Sequence, residues 1–87
     1  MFVIMVYDVK VERVNKVLKT SRKYLNWIQN SVLEGELTRA QLERLKAELN
    51  KIINEEEDSI IFYKLRTTSY MSREIIGVVK GGEEQVL

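Results

Sequence analysis

Residues 2–7, Phe-Val-Ile-Met-Val-Tyr, form an uncharged, largely β-branched run that closes on Asp8, the only acid among the first eleven residues. A run of this length and character is expected to be a strand covered on both faces. Sheets of that kind carry their sites at strand ends, so Asp8 stands where a metal or phosphate site would be placed. Asp is also among the best helix N-cap residues, and a capping or turn role for Asp8 is the second reading the run leaves open.

Downstream of Asp8, Glu12 and Arg13 open a stretch in which Val14, Val17, Leu18, Leu25 and Ile28 recur at helical spacing, with small Ser21 between them. The periodicity predicts a helix from about Val11 to Leu25. Trp27 to Leu37 lacks that period and mixes apolar with polar residues, as in one strand or a tight hairpin. Asn30-Ser31 would form its turn, and Gly35 would permit a bulge or a close backbone approach. Thr38-Arg39-Ala40-Gln41 has the form of a capping box. The stripe Leu42, Leu45, Leu49, Ile52 and Ile53 then predicts a second helix ending near Asn54.

Glu55-Glu56-Glu57-Asp58 reads as a solvated connector. Its adjacent acids diverge on an extended chain and so assign it no site. Ser59 to Arg66 predicts a third strong strand, Thr67 to Ser72 a polar loop carrying Tyr70, and Arg73 to Lys80 a last strand built on Ile75-Ile76-Gly77-Val78-Val79. The expectation is one domain over 1–80 and a loose tail over 81–87. The order of elements implies an α+β fold, a ferredoxin-like βαββαβ sandwich with an extra C-terminal strand. In so small a domain that surplus strand is a candidate to join the sheet edge of a second chain, giving a symmetric homodimer.

The available chemistry is narrow. Among the 87 residues there is neither Cys nor His, which excludes thiolate and imidazole ligands, disulfides and His-served nucleophiles. Any metal must be a hard cation held by oxygen. No run is long and apolar enough to span a membrane, and no signal-peptide pattern opens the chain, so a cytoplasmic protein without membrane contact is expected. Net charge is +1, yet residues 1–33 carry six basic and two acidic side chains, and Arg13 to Leu33 contains no acid at all. Arg13, Lys16, Lys19, Arg22 and Lys23 therefore spread over the first helix as a face that can meet phosphates, or as an ordinary solvated face. One carboxylate is too few for metal-assisted phosphodiester cleavage. Two Asp8 side chains meeting about a twofold axis could hold one cation between them.

Several stretches in register carry a family resemblance: Val6-Tyr7-Asp8-Val9 closing the first strand, Arg13-Val14-Asn15-Lys16-Val17-Leu18, and Gln29-Asn30-Ser31-Val32-Leu33-Glu34-Gly35-Glu36-Leu37 before the second helix. Together with Glu55-Glu56-Glu57-Asp58-Ser59 leading into an apolar strand, they resemble the small CRISPR-associated Cas-two family over nearly the whole chain. The resemblance implies a homodimer whose final strand crosses to the partner's sheet. It implies a role in spacer acquisition, bridging the Cas-one integrase and helping to hold the DNA to be inserted. It also implies a Mg2+-dependent (or Mn2+-dependent) endonuclease acting on RNA or double-stranded DNA, with Asp8 as the metal residue and Tyr7 and Ser31 beside it as catalytic positions. The same residues accommodate a non-catalytic nucleic-acid-binding adaptor and the related toxin-like messenger-RNA interferases. The chain departs from the family pattern at Trp27, where many members have Arg, at Leu33, where they have Phe, and at Lys10 and Val11, where further acids often follow the strand-end Asp.

Overall fold

The computed structural model describes residues 1–69 and 71–78. Its elements are β1 (Phe2–Asp8), α1 (Val11–Ser21), β2 (Asn26–Gln29), β3 (Val32–Glu36), α2 (Arg39–Asn50) and β4 (Ser59–Leu65). The strands form one antiparallel sheet in the order β2-β3-β1-β4, with β1 central between β3 and β4. Both helices cover the same face of that sheet, giving the ferredoxin-like α+β sandwich that the order of elements implied.

Strand alternation sends Val3, Met5 and Tyr7 into the core, where they meet Val17 of α1, Leu42, Leu45 and Leu49 of α2, and Leu33 of β3. Phe2, Ile4 and Val6 point to the other face and are only half-buried. The expectation of cover on both faces therefore holds for one face of the single chain. On the second face Val6 lies beside Ile61 and Ile4 beside Tyr63. Ile61 and Tyr63 keep 47% and 54% of their surface exposed, large for apolar side chains on a sheet. The segment Arg73 to Ile76 lines a cavity with Ile4, Ile28, Val32 and Glu34 on the remainder of that face, and Arg73 forms an ion pair with Glu34.

Helix α1 stops at Ser21, not near Leu25. Its last turn tightens into Lys23 N–H to Thr20 C=O and Tyr24 N–H to Ser21 C=O bonds, releasing the chain into β2. The helical spacing of Leu25 persists because Leu25 is still buried, just ahead of the strand. Thr38 and Gln41 make both bonds of the capping box, worth about 1 kcal/mol at such a position. Helix α2 ends at Asn50, and Ile52 and Ile53 continue its apolar stripe from a following turn that bonds back to Leu49. Gly35 is a close-approach position: a Cβ there would come within 3.3 Å of Leu25 Cδ2. The register irregularity lies elsewhere, between Trp27 and Gln29 of β2.

The acidic run is not an extended, solvated connector. Asn54 to Asp58 folds into a compact turn in which Asp58 N–H reaches Asn54 C=O at 2.8 Å and Asn54 N–H donates to Asp58 Oδ2 at 2.9 Å. The Asp58 side chain is fully buried and also accepts from Arg13 and from the Lys10 amide. A buried carboxylate needs such partners, and four donors converge on this one.

The last strand expected over Arg73 to Lys80 is not formed across 73–78, where no strand edge pairs with the segment and Gly77 turns the backbone at φ 100°. Val79 and Lys80 of that expected strand, Tyr70 of the preceding loop, and the tail 81–87 lie outside the described residues. Among the described residues no helix is long and apolar enough to cross a membrane.

Candidate active site

Asp8 is the last residue of β1 and is exposed. It does not cap α1: the N-cap is Lys10, which makes no side-chain cap bond, so the capping reading of Asp8 falls. By alternation its carboxylate belongs to the same sheet face as Ile4 and Val6, beside Ser59 at the start of β4.

The turn between β2 and β3 is tied to this strand end. Asn30 takes a positive φ of 32°, as Asn tolerates in tight turns, and sets Ser31 next to β1. The Tyr7 amide donates to Ser31 C=O at 3.0 Å, extending the β1–β3 ladder by one bond beyond Val6 and Val32. The Tyr7 hydroxyl donates to Asn30 C=O at 3.2 Å, and Trp27 Nε1–H donates to the same oxygen at 2.9 Å. Tyr7, Asp8 and Ser31 thus line one groove of about 420 Å³, together with Val9, Val14, Leu18, Trp27 and Asn30. The three positions that the resemblance implied as catalytic share one cavity. Asn30 and Trp27, not singled out as site residues, are built into it. The Asn30-Ser31 turn signal located the first of these, but no local signal shows that its carbonyl would serve two strands.

Burial pushes the Tyr7 phenol above its ordinary 10.0, so it stays protonated at neutral pH and acts as a hydrogen-bond donor. Asp8 and Ser31 supply hard oxygen donors of the type Mg2+ takes, but one carboxylate per chain makes no cage. Among the described residues no group of three acids stands close enough to hold an ion. The donor chemistry therefore fits a cation only as half a site. The apolar face on Asp8's side of the sheet is uncovered at Ile61 and Tyr63.

The basic residues of α1 and of the turn that follows it divide. Lys16 and Lys19 are exposed, and exposed Arg22 lays its guanidinium 5.5 Å from the Trp27 ring centre. Lys19 and Arg22 line a second groove with Asn15 and Leu18, which also borders the Asp8 groove. Lys23 pairs with Glu48 of α2, which also accepts from the Tyr24 hydroxyl. These bonds hold the Glu48 carboxyl below its ordinary value and raise both partners. Arg13, expected on the nucleic-acid-binding face, has its guanidinium engaged by Asp58 at 2.6 Å, Glu57 at 2.8 Å and Glu12 at 3.6 Å. It joins α1 to the start of β4 instead of standing free for phosphate, because Asp58 is buried within its reach and needs a cation. That pair holds Asp58 well below the usual carboxylate range and Arg13 well above its own.

Comparison with known proteins identifies the family. The family described as CRISPR associated protein Cas2 matches residues 1–73. The "CRISPR-associated endoribonuclease Cas2" of Dictyoglomus turgidum is 64% identical over 87 residues, covering the whole of both chains. The protein of the same name from Pyrococcus furiosus is 54% identical, again over the full length of both. A solved structure titled "Crystal structure of cas2" superposes with a TM-score of 0.83 at 44% identity, covering 100% of this chain and 98% of that one. The chain therefore belongs to the Cas2 family of CRISPR-associated proteins.

Proposed function

We propose that the chain is a CRISPR-associated endonuclease that hydrolyses phosphodiester bonds of RNA, and of double-stranded DNA as a second substrate, as a homodimer. The relatives' endoribonuclease names support the reaction class. The observation that carries the reading is Asp8: an exposed acid that caps nothing, in a groove with Ser31, on the sheet face that holds the uncovered Ile61 and Tyr63. Covering that face with a second copy would bury the apolar side chains and bring a second Asp8 to the first.

In that dimer the two Asp8 carboxylates would hold one Mg2+ or Mn2+, which when bound supplies charge for the phosphate and a more acidic water. The protein's own groups do the rest. Ser31 Oγ would bond a phosphate oxygen, the protonated Tyr7 phenol fixes the Asn30-Ser31 turn, and Lys16, Lys19 and Arg22 would draw the backbone into the adjoining groove. In the cell the dimer would serve spacer acquisition, bridging the Cas1 integrase and holding DNA.

The test compares wild type with Asp8→Ala in Mg2+-dependent cleavage of RNA and duplex DNA, in dimer mass, and in spacer integration with Cas1. Cleavage should fall more than about 100-fold, past the loss expected for a merely supporting residue, with the dimer intact. Unchanged cleavage would overturn the assignment. The single carboxylate per chain favours a second reading, the non-catalytic adaptor, in which integration proceeds undiminished in Asp8→Ala.

A further inference from the structure

The groove beside Asp8 has two unlike walls. Tyr7, Asp8, Asn30 and Ser31 line it at the end of β1 and the β2–β3 turn, while Val9, Val14, Leu18 and Trp27 form an apolar side. Phosphodiester hydrolysis needs only the first. The second is the sort of surface a nucleobase seeks, and its volume lies within the range of small-ligand sites. Trp27, the single tryptophan of the chain, is half-buried: it packs on the core, keeps surface toward the groove, and is fixed in orientation by its Nε1–H bond to Asn30 C=O.

We infer that Trp27 is a stacking platform for one unpaired base of a single-stranded nucleic acid, bringing the adjoining phosphodiester to the end of β1 beside Ser31. Exposed Arg22 now lies over the indole. An exposed cation–π contact is weaker than stacking of a base on an aromatic ring, so an incoming base takes the guanidinium's place and Arg22 swings onto the flanking phosphate. Lys19, in the groove that shares Leu18, meets the next phosphate. Bases already stacked in a duplex cannot make this contact without unpairing, so the platform selects single strands, as aromatic side chains do in RNA-binding modules. The inference rests on the proposed nuclease reading for its choice of ligand, but not on any catalysis.

The single tryptophan reports directly on its own stacking. Full-length Asp8→Asn protein in chelator is titrated with a short single-stranded RNA, the same RNA with abasic sites, and its duplex, following Trp27 fluorescence and, separately, anisotropy of labelled RNA. The base-containing single strand should quench the fluorescence, and the abasic strand and duplex should not. Trp27→Leu, which keeps apolar bulk against the core, should bind single-stranded RNA about tenfold more weakly, and Trp27→Phe should restore most of that loss. Thermal melts of both variants confirm that they remain folded. Saturable RNA binding without quenching, equal quenching by abasic or duplex RNA, undiminished binding by Trp27→Leu, or no RNA binding at all would overturn the platform. Asp8-dependent cleavage could survive any of the first three results. Conversely, quenching by the base-containing strand and the weaker RNA binding of Trp27→Leu could persist even where Asp8→Ala leaves cleavage unchanged.

Discussion

The Asp58 carboxylate receives Arg13 Nε at 2.6 Å and Nη2 at 3.1 Å, joining the first turn of α1 to the residue that precedes β4. The same carboxylate takes the amides of Lys10 and Asn54, so two backbone amides and one guanidinium converge on two oxygen atoms. Removing one partner of a buried ion pair strands the other, and Asp58→Ala should lower Tm by more than about 10 °C in a domain of this size. A melt within a few degrees of wild type would show the junction to be dispensable.

That junction also sets a pH dependence. The Asp58 carboxyl titrates below its ordinary 3.8 because Arg13 and the backbone amides favour its charged form. A carboxyl depressed on folding contributes stability that is complete above its unfolded value and lost as pH falls below it. Stability should therefore decline as pH drops from about 4, and Asp58→Asn should show a shallower decline over the same interval. Parallel acid-unfolding curves for the two proteins would contradict this.

Ile61 and Tyr63 are expected to lie within the dimer contact. Ile61→Lys places a charge in what would be a desolvated centre, so sedimentation should show a shift to monomer while far-UV circular dichroism stays unchanged. Nuclease activity should fall with dimer mass, since Asp8 shares that face. An unaltered dimer would move the contact elsewhere.

Ser21 is fully buried on α1, and its Oγ has no hydrogen-bond partner among the described residues. Ser21→Ala removes a desolvated hydroxyl and adds a better helix former, so stability should rise by about 1 kcal/mol in urea unfolding. Loss of stability would mean that the hydroxyl is satisfied in solution.

Lys16 and Lys19 should act through phosphate. Replacing both by Gln should flatten the dependence of log affinity on log salt for single-stranded RNA by about 1.4, two contacts at roughly 0.7 each. An unchanged slope would place the RNA on another surface.

What could be read from residues alone followed how local the signal was. β1 and the Thr38–Gln41 capping box depend on neighbours in sequence, and both stand where they were expected. The end of α1 was misplaced because Leu25 keeps the helical spacing while its burial serves the approach to β2. Asp58 was hidden in its acidic run because its partner lies 45 residues away, and no pattern separates it from exposed Glu55 and Glu56. The engagement of Arg13 was hidden with it, one charge on a basic helix looking like any other. The groove was legible only as separate residues: strand-end Asp8 and the Asn30-Ser31 turn came from spacing, but Trp27 joined them through a contact made in three dimensions.

The oxygen that receives both the Tyr7 hydroxyl and the Trp27 indole is a main-chain carbonyl. No side-chain replacement at residue 30 deletes it, so an alanine scan would register only backbone strain there and miss the joint itself. Two levers remain: Tyr7→Phe frees one strut and a Trp27 replacement frees the other, and a double-mutant cycle between them would measure how stiffly Ser31 is held against the end of β1. The firmness of the site is written in peptide backbone, where mutational maps are blind.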